Sequence, residues 1–543
     1  MKNSLITLLI LFSPLFASSE EIRISDFSAG MWSYLSPNMI PDNAASILEN
    51  VYTDANGMLV QRRAMRQPGA SFNFTGLPSS SPIQGMFSFT SSASIEYFIS
   101  FASGTMYTLV LISSTSAGSV TTWNLGYSTG TRIRFRGTQN LGKIWFTNGI
   151  NNVFWFDGYS TGSVSSAPMG ELIAAWRNRI VIAASTSNFS TAYFSEDGDG
   201  TNWTLGGNPT DPFTVQIGGG ADGLKINCLN IYGDDLIFGR RPDTWTVSGF
   251  DQADVVVRKI SSHYGCIDQG SVQARDNSLI WFSNDRSIVE MRGITIKSIS
   301  EPIRNYAENV AKNNLSSVTV SGSPLSVPMA SVVFDGRYYL ATTTRTLSSG
   351  NWNDIILCYQ RNNGWTTHTG IRASAFVPVI KDSYLYVGEN VSASNGVSFY
   401  YMWEHDSAVI QEDAGTIPDP TDTYPIKFNI ETKSYNFLTP HRNKQFRTTW
   451  VSHESQVDWG SDDTVVLSYK LDRSTSSYSL QSTPINGETA ASLTKFPFPL
   501  STTAKSYGRE IQLKITRSAT FSSSGEQPKI YDLVLDYSTM EPN

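Results

Sequence analysis

Beyond residue 80 the chain alternates between short apolar runs and polar turns, and the alternation itself recurs. The stretches GKIWFTNGINNVFWFDG (142–158), DDLIFGRRPDTWTVSG (234–249) and NSLIWFSNDRSIVEMRG (277–293) share one plan. Each is an apolar strand, a polar turn, a second strand and a closing glycine. Looser copies are EYFISFASGTMYTLV (96–110), NRIVIAASTSNFSTAYFS (178–195), GRYYLATTTRTLSSGNWNDIILCYQRNNGW (336–365) and SYLYVGENVSASNGVSFYYMWE (383–404). A period of roughly 40–60 residues is that of propeller blades. One small twisted meander cannot bury both of its faces, so several pack radially about an axis. The pattern predicts a β-propeller of six or seven blades over 81–411.

The pattern changes on either side. The Pro-, Asp- and Thr-rich EDAGTIPDPTDTYP (412–425) reads as a linker. Beyond it the period is a clean two, with Ile511, Leu513 and Ile515 on one face and Gln512, Lys514 and Thr516 on the other. That predicts a half-solvated β-sandwich over 426–543, packed on the propeller. Helical spacing is confined to EPIRNYAENVAKN (301–313), where Ile303, Tyr306 and Val310 align, and the helix is expected at a blade edge. Residues 20–80 read as an N-terminal arm. Asp42 or Asn43 caps a short helix carrying Ile40, Ala44, Ile47, Leu48 and Val51 on one face, followed by a hairpin turning at Asn56-Gly57. The fold class is therefore all-β: a propeller with an N-terminal arm and a C-terminal β-sandwich.

Composition agrees with this picture and narrows it. At 543 residues the chain is too long for one core, and 12 % aromatics favour strands. A net charge of −7 argues against general nucleic-acid binding but suits a surface that DNA slides past. Residues 1–19 combine Lys2, an apolar run from Leu5 to Phe16, and small residues at Ala17 and Ser19. They read either as a secretory signal peptide or as the product of a start codon set too early; the run is too short to span a bilayer stably. Cys228, Cys266 and Cys358 each sit among strand residues and are expected as buried small hydrophobes, although one bridge stays open.

Candidate chemistry is sparse. EDGDGTNW (196–203) has the look of a calcium loop, but Asn202 and Asn208 stand where Gly and Glu are needed, so a turn is expected. GGGADG (218–223) lacks the ending of a phosphate-binding loop. The five histidines (His263, His368, His405, His441 and His453) show no zinc spacing. Asp234-Asp235 and Asp462-Asp463 read as solvated turns. Arg62, Arg63 and Arg66 end the arm and are assigned to a subunit contact, while Arg240-Arg241 would meet an acidic neighbour or DNA. Asn-x-Ser/Thr triplets at Asn73, Asn202 and Asn390 are expected by chance in so hydroxyl-rich a chain. No catalytic residue, cofactor or metal is assigned, and the chain is expected not to be an enzyme.

One resemblance adds to this. DFSAGMWSYLSPNMIPDNAASILENVYTDANGMLVQRRA (26–64) resembles the N-terminal signature of the tail hub, nozzle or DNA-stabilisation proteins of short-tailed bacteriophages. Its pattern is I-x-D-F-S-G-G, then S-P-x-x-I-P-D-N-x-A, L-x-N-V and G-x-L-x-x-R. Asp26, Phe27, Ser28, Gly30, Ser36, Pro37, Ile40, Pro41, Asp42, Asn43, Ala45, Leu48, Asn50, Val51, Gly57, Leu59 and Arg62 match, while Ala29 departs from the usual glycine. WRNRIVIAASTSNFSTAYFSEDGDGTNW (176–203) and the ending GREIQLKI…KIYDLVLDYS are similar to later parts of the family. The resemblance implies a virion protein: a ring of copies below the portal that lines or closes the DNA exit channel. Its implied partners are itself, the portal or adaptor, other tail proteins, and double-stranded DNA passing without sequence-specific contact. The arm, with Arg63 added to the matching residues, would be the assembly latch, and the location would be the virion tail. The leader lies outside the family pattern. Together with the aromatics it supports an alternative: an exported, periplasmic or secreted propeller that binds or hydrolyses surface glycans.

Overall fold

The computed structural model describes residues 20–54, 56–62, 65–66, 83–113, 116–127, 133–219, 223–315, 328–344, 353–379, 384–389, 399–402, 426–453, 464–472, 478–480, 485–486, 493–498, 507–518 and 529–539. Residues 1–19, 67–82, the linker 412–425, Arg63, Asn390, His405 and Asp462-Asp463 lie outside them, Asn73 falling within 67–82.

Among the described residues seven antiparallel blades form a propeller, six of them meanders of four consecutive strands and the seventh three such strands completed by one from the N-terminal segment. In chain order the blades span 83–123, 136–164, 170–216, 226–261, 273–298, 330–369 and 373–402. Their first strands line the axis and touch in succession, the seventh returning to the first. The first hairpins of several blades are two-residue turns, as at Leu141-Gly142 (φ 55° and 71°), Asp276-Asn277 (42° and 57°) and Asp335-Gly336 (47° and 65°). Left-handed backbone at both positions gives the turn a twist that matches the strands, which is why Gly, Asn and Asp gather there. Each gap between neighbouring blades holds an apolar layer, such as Phe89, Phe101, Phe146 and Phe154 between blades 1 and 2. Strands such as Ser278–Phe282 are therefore buried on both faces.

The N-terminal segment departs from expectation. Residues 42–51 form no helix: Ala44–Glu49 is a strand, β3. A strand wins because partners lie on both sides. β3 pairs antiparallel with Asn429–Tyr435 and meets Gly364–Thr369, the outer strand of blade 6, at Glu49–Thr367. The other strands of the segment are β1 (Glu20–Ile24), β2 (Gly30–Met31), β4 (Val51–Thr53), β5 (Leu59–Gln61) and β6 (Met65–Arg66). β1 and β5 both pair with Lys529–Thr539. β6 pairs with Phe399–Met402 and supplies the outer strand of blade 7, so the two ends of the propeller are stitched to each other.

The β-sandwich accordingly contains the strap as well as the C-terminal strands. One sheet runs Leu493–Pro497, Lys444–His453, Lys529–Thr539, β5, β4; the other continues blade 6 through β3, Asn429–Tyr435, Ile511–Ser518 and Thr464–Leu471. One apolar cluster joins Phe282, Tyr338 and Trp365 of blades 5 and 6 to Phe27 and Leu48 of the strap and to Leu513, Leu533 and Leu535 of the sandwich. The expected helix is present as Glu301–Ile303 (3-10) running into α1 (Arg304–Leu315), and Ile303, Ala307 and Val310 enter this shared core. The three cysteines are buried thiols, with Cys228 and Cys266 in the layer between blades 4 and 5.

Candidate functional site

The strap residues singled out by the resemblance converge on the joint between propeller and sandwich. Gly30 (φ +68°) lies so close to blade 6 that a Cβ there would sit 2.6 Å from Asn363 O and 2.6 Å from Trp365 N. Phe27 is buried and its N–H donates to Gly57 O (3.0 Å); Asp26 Oδ1 accepts from Ser28 N (2.8 Å). Asn43 Nδ2 donates to Ser28 Oγ, Ser36 Oγ to Asn38 Oδ1, and Ser434 N to Pro37 O. Ile40 is buried, Pro41 O accepts from Ala44 N, and Asp42 pairs with Lys433. Asn50, itself left-handed (φ 57°), donates to Lys427 O and Thr369 Oγ1 and accepts from Arg62 Nε at 2.8 Å. Arg62 is fully buried and also donates to Thr369 O. Its guanidinium is spent inside the chain, which corrects its assignment to a subunit contact. Arg240 is corrected likewise: it is buried in a two-bond pair with Asp243 (2.7 Å each) beneath Gly218. Burial pushes the Asp243 carboxyl up, but the bonds and charge of Arg240 and Lys259 win and hold it below the usual range.

The propeller axis is crossed by charge. Arg136 at the start of blade 2 reaches Asp268, in the connection into blade 5, at 3.6 Å. These blades lie nearly opposite one another, so the pair spans the axis. Nearby, Lys225 donates to Glu171 (2.6 Å). Burial, and then the neighbouring Arg136, push Arg134 down to about 10. An axis bridged by side chains has no room for a duplex. Among the described residues no three His, Cys, Asp or Glu side chains converge to hold a cation. The 196–203 loop is a turn: Asp199 Oδ1 accepts from Thr201 N and Oγ1, and Asn202 Nδ2 donates to Glu196 Oε2.

Two exposed features escaped the sequence reading. The first is a rim. In a four-stranded meander the first and third hairpins lie at one end, and the third hairpins of blades 2 to 5 each expose one large apolar residue there. These are Tyr159 (67 %), Leu205 (64 %), Phe250 (65 %) and Ile294 (85 %). Carboxylates brace the loops: Asp157 Oδ1 accepts from Tyr159 N and Ser160 N, Asp254 Oδ1 from Phe250 N and Asp251 N. Those backbone bonds hold the Asp254 carboxyl below the usual range, so it is ionised at neutral pH. Arg177 stacks on Phe250, 3.8 Å from its ring centre.

The second is a tip on the sandwich. Leu438 is 96 % exposed, and both it and Phe437 are left-handed (φ 58° and 55°), a conformation costly for residues with a Cβ. The surroundings enforce it. Phe437 stacks on Tyr537 (4.3 Å), and the fully buried Lys444 Nζ donates to the carbonyls of Thr439 (2.7 Å), Arg442 (3.2 Å) and Arg509 (2.9 Å). His441 and Arg442 flank the tip and are exposed. In the sequence both features show only as one or two apolar residues inside polar turns, as in NFLTPH (436–441).

No family model matches the sequence, and no curated protein sequence matches it. The fold is similar to several solved structures, a β-propeller domain among them. The extracellular domain of the one-component system BT4673 of B. thetaiotaomicron is 9% identical, with a TM-score of 0.40 over 91% of this chain and 63% of that one. PorZ, an essential surface component of the type-IX secretion system of Porphyromonas gingivalis, is 8% identical, with a TM-score of 0.37 over 68% of this chain and 43% of that one. The Cps50 (Swd1) β-propeller domain of Myceliophteria thermophila is 9% identical, with a TM-score of 0.37 over 63% of this chain and 100% of that one. The chain thus spans less than two thirds of the length of the first two. At these identities the likeness concerns the β-propeller fold alone.

Proposed function

We propose that this chain is a structural virion protein of a tailed phage. In this reading it is a nozzle or hub subunit that joins copies of itself into a ring below the portal and lines or closes the DNA exit path. One observation carries the reading. The residues on which the resemblance rests act together in space, as the joint fusing propeller to sandwich, and that shared structural role supports the reading. The closed axis also fits, because it leaves any duplex path between subunits and not through a propeller. A net charge of −7 keeps phosphates from sticking as they pass. The portal or adaptor and other tail proteins are the remaining neighbours.

The test is electron microscopy of purified particles with peptide mapping of the tail, alongside light scattering of the isolated chain. Rings of the pure protein and its peptides in tails are the expected result. A monomer at high concentration that is missing from tails would overturn the reading. Binding or turnover on a glycan array would favour the exported glycan-directed propeller instead.

A further inference from the structure

We propose that the ring contact is heterologous: the Leu438 tip of one copy seats on the rim around Leu205 and Phe250 of the next. This deepens, and rests on, the ring reading above. Four observations lead to it. First, the tip is rigid at a cost: two consecutive left-handed residues and a buried lysine hold a leucine out in water, where it does nothing for its own chain. Strain held in place by its surroundings marks contact sites. Second, the rim repeats one exposed apolar residue on consecutive blades, a row that a solitary surface leucine does not explain. Third, the signs are complementary. The cationic Arg442 flanks the tip, whereas Asp157, Asp197 and Asp254 stand among the rim residues, with Arg177 laid flat on Phe250. Fourth, tip and rim are different patches on one chain. A contact between unlike patches leaves a free patch at each end, and so propagates until it closes.

The occupant of the rim is therefore a second copy, and the experiment separates this from the broader reading. Full-length wild type, Leu438→Asp and Phe250→Asp are compared by light scattering, negative-stain microscopy and melting temperature. Both positions are exposed, so both variants should melt with wild type. Each should lose rings by more than about tenfold, as removal of an interface anchor does. The decisive arm is the mixture. Leu438→Asp keeps a working rim and Phe250→Asp a working tip, so an equimolar mix should yield a heterodimer and nothing larger. Rings that persist in either single variant overturn the tip–rim contact while leaving the ring reading intact, the patches then facing other tail proteins. Single variants that break rings but fail to pair on mixing overturn the heterologous arrangement. A monomeric wild type overturns both contact and reading.

Discussion

Blade 2 and the N-terminal strap are built from similar residues yet hold their structure in opposite ways. In blade 2 each strand pairs with the next along the chain, Asn140 with Lys143 and Phe156 with Thr161. In the strap Asn50 meets Thr369 and Lys427, Gly30 meets Trp365, and β1 lies against Lys529–Thr539. A local hairpin needs little loop closure, while a contact across hundreds of residues forms only once the rest of the chain is in place. The blades are repeated units, and the strap is the element that makes one body of them.

The largest test of that difference is deletion of residues 20–66. The arm reading expects the propeller to survive loss of 22–64. The strand pairing instead predicts loss of the cooperative unfolding transition and of near-ultraviolet dichroism, because five sandwich strands, β1 to β5, and the outer strand of blade 7 leave together. Next is Arg62→Met, which removes two interior hydrogen bonds, from Nε to Asn50 Oδ1 and from the guanidinium to Thr369 O. A loss of about 3 kcal/mol in denaturant unfolding is expected, with no rescue by lysine. A glycine pair compares the two regions directly. Gly30→Ala must push backbone atoms 2.6 Å away and should cost about 2–3 kcal/mol, whereas Gly142→Ala in blade 2, equally left-handed but with open space around it, should cost about 1.

The smallest effect is one of pH. His368 in blade 6 is buried, and burial, followed by the charges of Arg62 and Arg337, lowers its pKa well below that of a free histidine. Neither ring nitrogen has a hydrogen-bond partner among the described residues. Unfolding lets the ring take up a proton below about pH 6.5, so stability present above that pH falls as the solution is acidified. His368→Phe should flatten the slope of unfolding free energy between about pH 6.5 and 5, by about 1 kcal/mol per unit of pH, without lowering stability at pH 8. An unchanged slope would place the acid sensitivity elsewhere.

These comparisons explain what was legible. Gly142, Asn277 and Gly336 announce their turns because a left-handed two-residue hairpin is a local demand, and the strands beside them carry their own apolar runs. Blade 6 is the looser copy, since twelve residues part its second strand, Arg337–Thr342, from its third, Ile355–Gln360. The strap misled because Ile40, Ala44, Ile47, Leu48 and Val51 satisfy a helical period as well as they satisfy a strand buried on both faces. In the sequence Arg62 and Arg240 look like outward charge, and only their surroundings show them satisfied within. The rim and the tip were invisible because exposure is not written in a single apolar letter.

From its sequence alone this protein was committed to strands, to small repeating meanders and to a second β layer at its end, because hairpin turns and two-residue periodicity are local physics. Only the tertiary structure decided that the N-terminal segment is a strap and not a free arm. It also decided that the propeller closes at seven blades through Met65–Arg66, and that a buried lysine holds Leu438 out into solvent. The reason is the same in each case: a backbone edge or a buried charge takes the partner that the completed fold brings to it, and that partner is hundreds of residues away for the strap and up to 65 for Lys444.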